Sequence, residues 1–231
     1  MLYGGKVGSD EARNGTLKNE VYARLRQSII MGHRLPGARI DVREIAEQHG
    51  TSITPIREAL QMLHQEGLVT IKPHSGYLVT RFTLKQLRDL FELREILELA
   101  AVERAACRIS DEQVEALDRV YAGYSGDDDD SYARYTYENR QFHCLVAEAA
   151  GNRELAELVA RVHDRLARFM VMRRAGETMQ HTHTQIIEAL RARDPAAAKR
   201  AMLDELTDTR EVVLDRVIQE QGEVWHLDSH G

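Results

Sequence analysis

Apolar residues recur at helical spacing along most of this chain, and one short stretch alternates instead. Between Leu17 and Met31, Val21, Leu25, Ile29 and Ile30 fall near one face, and Gly32 ends the run. Leu35-Pro36-Gly37 then reads as a turn. Asp41 is a natural N-cap, and Glu44 three residues on gives a capping-box pattern for a helix over about 42–49 that buries Val42, Ile45 and Ala46. Gly50 allows a sharp turn. Thr54 is expected to cap a third helix with Pro55 at its first position, where no amide partner is needed. Ile56, Leu60 and Leu63 then face a core, while Arg57, Gln61 and His64 face outward. After Gly67, Val69-Thr70-Ile71 and Tyr77-Leu78-Val79 alternate as two strands around Pro73-His74-Ser75-Gly76. Helix, turn, helix and hairpin in this order make a winged helix-turn-helix, a DNA-reading architecture.

From Thr83 onward the period is helical throughout. Thr83 with Gln86, and Ser110 with Gln113, are capping-box pairs. Leu84, Leu87, Leu90, Phe91, Leu93, Leu97 and Val102 form an apolar stripe to about Arg108. A helix over about 132–150 is broken by Gly151-Asn152, and the next carries Leu155, Leu158, Val162, Leu166 and Phe169 inside. Ile186, Ile187 and Leu190 mark a further helix, and Asp194-Pro195 open the last. Six helices without a strand signal predict an antiparallel bundle. Asp127 to Asp130 are four adjacent carboxylates that repel one another, so residues 124–130 read as a solvated bend and not as a calcium loop. The glycine-spaced start, up to Gly15, reads as a disordered or trailing arm.

Composition narrows the function. The 231 residues are 43% hydrophobic, enough for one or two real cores. No apolar run of membrane length and no signal-peptide core occur, and Cys107 and Cys144 read as buried thiols; a cytoplasmic protein is expected. Net charge is -6, but unevenly spread: residues 1–81 hold 11 Lys/Arg and 8 Asp/Glu, whereas residues 82–231 hold 20 and 29. The basic excess coincides with the helix-turn-helix, and the acidic remainder should face away from phosphate. No nucleotide-binding glycine loop, nucleophile elbow, zincin motif or zinc-type cysteine pattern is present, so no catalytic residue is assigned and no enzyme is expected.

Helix three is the element expected in the major groove. Arg57 is the first choice for a base edge, since its planar fork matches guanine O6 and N7. Ser52, Thr54 and the helix N-terminus suit phosphates, Arg43 and Arg39 add cations, and Lys72, His74 and Gly76 form the wing tip. The segment from Leu25 to Val79, with PIREAL and EGLV inside it, resembles the DNA-binding domain of the GntR family of bacterial transcription regulators. The resemblance implies DNA contacts at Arg43 and Arg57. That family usually has Arg where this chain has Ile53, so one customary contact is replaced by a thymine-methyl contact or left unused.

LFELREILELAAVERAA, ENRQFHCLVAEAAGNREL and HTQIIEALRARDPAAAKRAML resemble the FCD ligand-binding domain of the FadR-type branch. The implied fold is mainly α: a winged helix-turn-helix over 15–80, then an antiparallel all-helical bundle of FCD type over 83–222 that binds effector and dimerises. Asn139 and His143, four apart, share a helix face. The resemblance implies that Asn139, His143, His183 and Glu205 hold a divalent metal ion, with Glu205 standing where the family usually has a third His. Zinc is the first choice, nickel or manganese the alternatives. Arg94 sits among Leu90, Phe91, Leu93 and Leu97, and either clamps an effector carboxylate or makes a surface ion pair with Glu98. Arg94, Asn139, His143 and His183 are the candidate effector residues. The expected protein is a homodimeric, ligand-responsive regulator, a repressor by family habit, with double-stranded operator DNA and a small carboxylate as partners and no membrane. The alternatives are a helical half that only dimerises, or a sensor of a longer acyl ligand without metal.

Overall fold

Ile56, Leu60 and Leu63 project from one side of a single helix into the first core, all fully buried. A computed structural model describes residues 7–120, 129–171 and 177–219 and divides the chain into two units, Met1–Arg81 and Phe82–Gly231. In the first, α1 spans Val7–Ile30, β1 Arg39–Ile40, α2 Val42–Gln48, α3 Ile53–Gln65, β2 Val69–Lys72 and β3 Gly76–Val79. Val21, Leu25, Ile29, Ile40, Ile45, Leu68, Val69 and Val79 complete its core. The strands form an antiparallel sheet in the order β1-β3-β2, with Leu78 opposite both Arg39 and Thr70. Tyr22 and Arg26 of α1 both bond the Glu66 carboxylate, the latter at 3.0 Å, which ties α1 to the end of α3.

Local chemistry accounts for the boundaries, including those the sequence pattern misplaced. Asp41 caps α2, accepting from the amides of Arg43 (2.8 Å) and Glu44 (3.2 Å), while the Glu44 carboxylate accepts from Gln48 (3.1 Å). Gly50, at φ +56°, makes the tight turn into α3. Ser52, not Thr54, is the N-cap of α3, so Pro55 is its third residue. The first four amides of a helix have no partner within it, so proline is tolerated there as well as at the first position. β1 has two residues, too few to show alternation. Helix α1 begins at Val7, so the presumed trailing arm is helical from that point; residues 1–6 lie outside the described set. Extending a nucleated helix avoids the nucleation cost, and Glu11, Ala12 and Arg13 are good helix formers.

In the second unit, α4 spans Leu84–Ala106, α5 Asp111–Val120, α6 Asp129–Ala149, α7 Arg153–Val171, α8 Glu177–Arg191 and α9 Pro195–Gln219. The Thr83–Gln86 box closes in both directions (3.1 and 2.9 Å), as does that of Ser110 and Gln113. Gly151, at φ +70°, turns the chain between α6 and α7, and Arg108 donates to the preceding Ala150 carbonyl (2.6 Å). Asp194 caps α9 through the amides of Ala196 and Ala197. Ion pairs Glu103–Lys199 and Glu95–Arg210 show α4 and α9 running antiparallel. One core contains Phe142, Ile186, Leu190, Met202 and Leu206; another contains Phe82, Leu90, Phe169, Val213 and Val217.

Several side chains depart from the expected pattern. Leu93 and Leu158 are 38% and 41% exposed and lie outside their stripes. The buried positions of α4 include Arg94 and Glu98 beside Leu87, Leu90, Phe91, Ala101 and Val102, so two charged residues share the inward face while Leu93 does not. Cys107, just past the end of α4, is exposed, and Cys144 is half-buried, against the expectation of two buried thiols. The acidic bend lies outside the described residues up to Asp128, and α6 starts at Asp129.

Leu60→Ala, which removes a fully buried side chain from α3, is expected to destabilise the first unit by about 2–5 kcal/mol. Urea unfolding followed by circular dichroism checks this; a loss below about 1 kcal/mol would mean that the site collapses around the missing atoms.

Candidate functional site

The proposed DNA-facing residues lie on one unit but not on one element. Ser52, Thr54 and Arg57 are exposed at the start of α3, Arg43 is exposed on α2, and Arg39 on β1. Lys72 and His74 are exposed at the β2–β3 turn and Gly76 is half-buried; His74 and Gly76 both have positive φ (63° and 77°). Ile53 is half-buried and packs against the core of this unit, which accounts for an apolar residue at the first position of α3.

The second candidate site is a buried polar cluster at the middle of the helical unit. α4 contributes Arg94 and Glu98, α6 Asn139 and His143, α7 His163, α8 His183, and α9 Glu205 and Thr209, all at most 3% exposed. Arg94 Nε donates to Glu98 Oε1 (2.6 Å), and Arg94 Nη2 lies 3.1 Å from His143 Nε2 and donates to Glu205 Oε2 (3.3 Å). The Arg94–Glu98 pair is therefore buried, not the surface bridge considered above. His143 Nδ1 is in close contact with Glu98 Oε2, and His163 Nε2 is 2.9 Å from Glu98 Oε1. Thr209 Oγ1 donates to both the side chain and the carbonyl of Glu205 (2.7 and 2.8 Å). The His183 ring stacks on Phe142 at 4.0 Å between centroids, 11° from parallel. Ligand atoms of His143, His183 and Glu205 lie within 4.8 Å of one another, and the same holds for Glu98, His143 and His163.

Burial and charge act in opposition here. Burial pushes the Glu98 carboxyl upward, but His143, Arg94 and His163 outweigh it and hold the group well below the usual carboxylate range. Burial alone would weaken the Arg94 charge, and Glu98 and Glu205 reverse that, leaving its pKa raised. Burial lowers His163 to about 4, with Glu98 opposing. A separate open groove of about 580 Å³, lined by Arg140, Cys144, Asn152 and Glu157 among others, contains none of these buried residues.

Both halves of this arrangement have known counterparts. Residues 17–79 match the bacterial regulatory proteins of the gntR family, and residues 89–208 match the FCD domain. The Nta operon transcriptional regulator of Aminobacter aminovorans is 31% identical over 72% of this chain and 80% of its own length. The HTH-type transcriptional repressor RspR of Escherichia coli (strain K12) is 26% identical over 90% of this chain and 93% of its own. The solved structure of E. coli McbR/YncC superposes with a TM-score of 0.70 at 21% identity, over 87% of this chain and 98% of that one. The chain belongs to the GntR family. It is a DNA-binding transcription regulator with an FCD domain, not an enzyme. No helix among the described residues is long and apolar enough to cross a membrane.

In this GntR-family regulator the donor set fits a divalent cation. Two imidazoles and a carboxylate converge, and Asn139 Oδ1, one helical turn before His143, is buried with no hydrogen-bond partner among the described residues. Glu98 and Glu205 together exceed Arg94 by one formal negative charge, which a cation between them would offset. Sequence reasoning missed Glu98 as an inward carboxylate, and missed His163 and Thr209. The signal was present in the helical period: His163 continues the inward face of α7 between Val162 and Leu166, as Glu98 continues that of α4.

His163 binds its proton more weakly folded than unfolded, so the unfolded chain takes up the extra proton as pH falls. Native stability is therefore expected to drop from about pH 6.5 to about pH 4, by up to about 3 kcal/mol from this group. Glu98 adds a loss of the same sign at still lower pH. Denaturant midpoints measured across this range should show a shallower slope for His163→Gln; an identical slope would contradict a neutral buried His163.

Proposed function

We propose that this regulator represses transcription as a cytoplasmic homodimer, and that its helical unit senses a small carboxylate through a divalent metal ion held by Asn139, His143, His183 and Glu205. The convergence of His143, His183 and Glu205 from three different helices into one buried cluster carries this reading. Zinc suits a nitrogen and oxygen donor set of this kind; nickel and manganese suit it less specifically. When bound, the metal supplies a Lewis-acidic positive centre. Its two charges would turn the local excess of one negative charge into one positive charge, a setting that attracts an anion. Arg94 Nη1, buried and without a hydrogen-bond partner among the described residues, supplies a donor for that anion.

DNA reading falls to about residues 15–80 and sensing to about residues 83–222. Arg57 pairs with a base edge, while Arg43, Ser52, Thr54, Lys72, His74 and Gly76 hold the phosphate backbone of operator DNA. Two-fold operators call for two reading heads, hence a homodimer. Repression is supported by the name of the relative RspR. Ligand and metal act by population shift, favouring one arrangement of the helices over another. Helix α4, which carries Arg94 and Glu98, begins at Leu84, only three residues after Arg81.

Elemental analysis of the purified full chain should find about one divalent ion per chain, and His183→Ala should lose it together with the thermal stabilisation that added metal provides. Equal metal content in wild type and His183→Ala would defeat the assigned ligands. For DNA, Arg57→Ala should weaken operator binding by about 1–3 kcal/mol per bidentate contact, with nonspecific binding far less affected. Unchanged discrimination between operator and random duplex in that variant would remove Arg57 from base readout.

A further inference from the structure

Two three-residue clusters compete for any cation, and they share His143. One is Glu98–His143–His163, the other His143–His183–Glu205. The hydrogen bonds around Glu98 separate them. Its Oε1 is 2.6 Å from Arg94 Nε and 2.9 Å from His163 Nε2, and its Oε2 is against His143 Nδ1. Oε1 of the carboxylate thus accepts from Arg94 of α4 and His163 of α7, and Oε2 is in close contact with His143 of α6. An ionised carboxylate only accepts, so a neutral imidazole facing it must carry its hydrogen on the nitrogen that touches it. For His143 that nitrogen is Nδ1. The lone pair is then on Nε2, which accepts from Arg94 Nη2 (3.1 Å) and lies 3.7 Å from Glu205 Oε2, so a cation bound in the second cluster would take the place of that Arg94 contact.

We infer that Glu98 is a positioning residue: it fixes His143 in the Nδ1–H tautomer, presents the Nε2 lone pair to the His183–Glu205 side, and thereby directs the cation to that cluster and away from its own. The inference rests on the metal reading above only for its affinity consequence; the tautomer is a property of the chain itself. The same contact makes His163 donate through Nε2, so His163 serves Glu98 and is not a ligand. A carboxylate behind a ligating imidazole typically sets ring orientation and raises ligand basicity, and its loss costs 10–100-fold in metal affinity.

The test uses the full chain with ¹⁵N-labelled histidine, freed of metal by chelation. Long-range ¹H–¹⁵N correlation spectra at neutral pH, with His143→Gln to assign the signals, should show His143 with a protonated Nδ1 and a lone-pair Nε2. The opposite tautomer in the wild-type protein would overturn the inference, without dependence on any variant folding. Glu98→Gln is then expected to raise the Nε2–H population and to weaken zinc binding by about 10–100-fold in competition with a chromophoric chelator. His163→Gln, which leaves Glu98 facing His143, should retain the Nδ1–H tautomer. Unchanged tautomer and unchanged zinc affinity in Glu98→Gln would overturn the positioning role. The Nδ1–H tautomer in a protein that binds no zinc would uphold this assignment while defeating the metal proposal.

Discussion

Two opposite charges, Arg94 and Glu98, lie on the inward face of a helix that otherwise buries leucine, phenylalanine and alanine. Neither is tolerable there alone, because the desolvation cost of an unpaired buried ion is several kcal/mol. They satisfy one another at 2.6 Å, but each has further hydrogen-bonding capacity that α4 itself cannot fill. His143 from α6, His163 from α7 and Glu205 from α9 supply it. The apolar clusters on either side of this centre, around Phe142 and Met202 and around Phe169 and Val213, contribute the burial; the polar centre sets which faces of the helices meet. Replacing one member without the others would leave an uncompensated charge, so the network acts as a unit.

On the proposed function, that network is where a small ligand acts. Every helix that meets the cluster is long, and α4 begins just beyond the winged helix-turn-helix in sequence. A cation or anion entering the cluster would change the balance of charge among Arg94, Glu98, His143, His163 and Glu205, which come from α4, α6, α7 and α9. On the proposed function, a ligand acts on the DNA-reading unit by altering this balance of charges.

Sequence periodicity made most of this architecture legible. The winged helix-turn-helix followed from Gly50, Pro55 and the alternation around Gly76, and the helical bundle from six helical periods with caps at Thr83, Ser110 and Asp194; its FCD type came from resemblance. The errors have two origins. Ser52 was passed over because Pro55 was placed at the first helical position, although the third serves equally. Leu93 and Leu158 were drawn into apolar stripes because hydropathy takes no account of an inward arginine or histidine. Glu98 and His163 were missed for the same reason: a buried polar network looks like solvated surface until the partners on other helices are known. Asn139 and His143 share a face by spacing, and the set with His183 and Glu205 came only from resemblance; that His143, His183 and Glu205 converge is a tertiary fact.

X-ray absorption at the metal edge of the zinc-loaded full chain addresses the central claim most directly, since it counts imidazoles around the ion. The account predicts a shell of nitrogen and oxygen atoms only, at about 2.0–2.1 Å, with the outer-shell scattering of two histidine rings. A shell containing sulfur, or one with no imidazole scattering, would contradict the assignment of the ion to His143, His183 and Glu205.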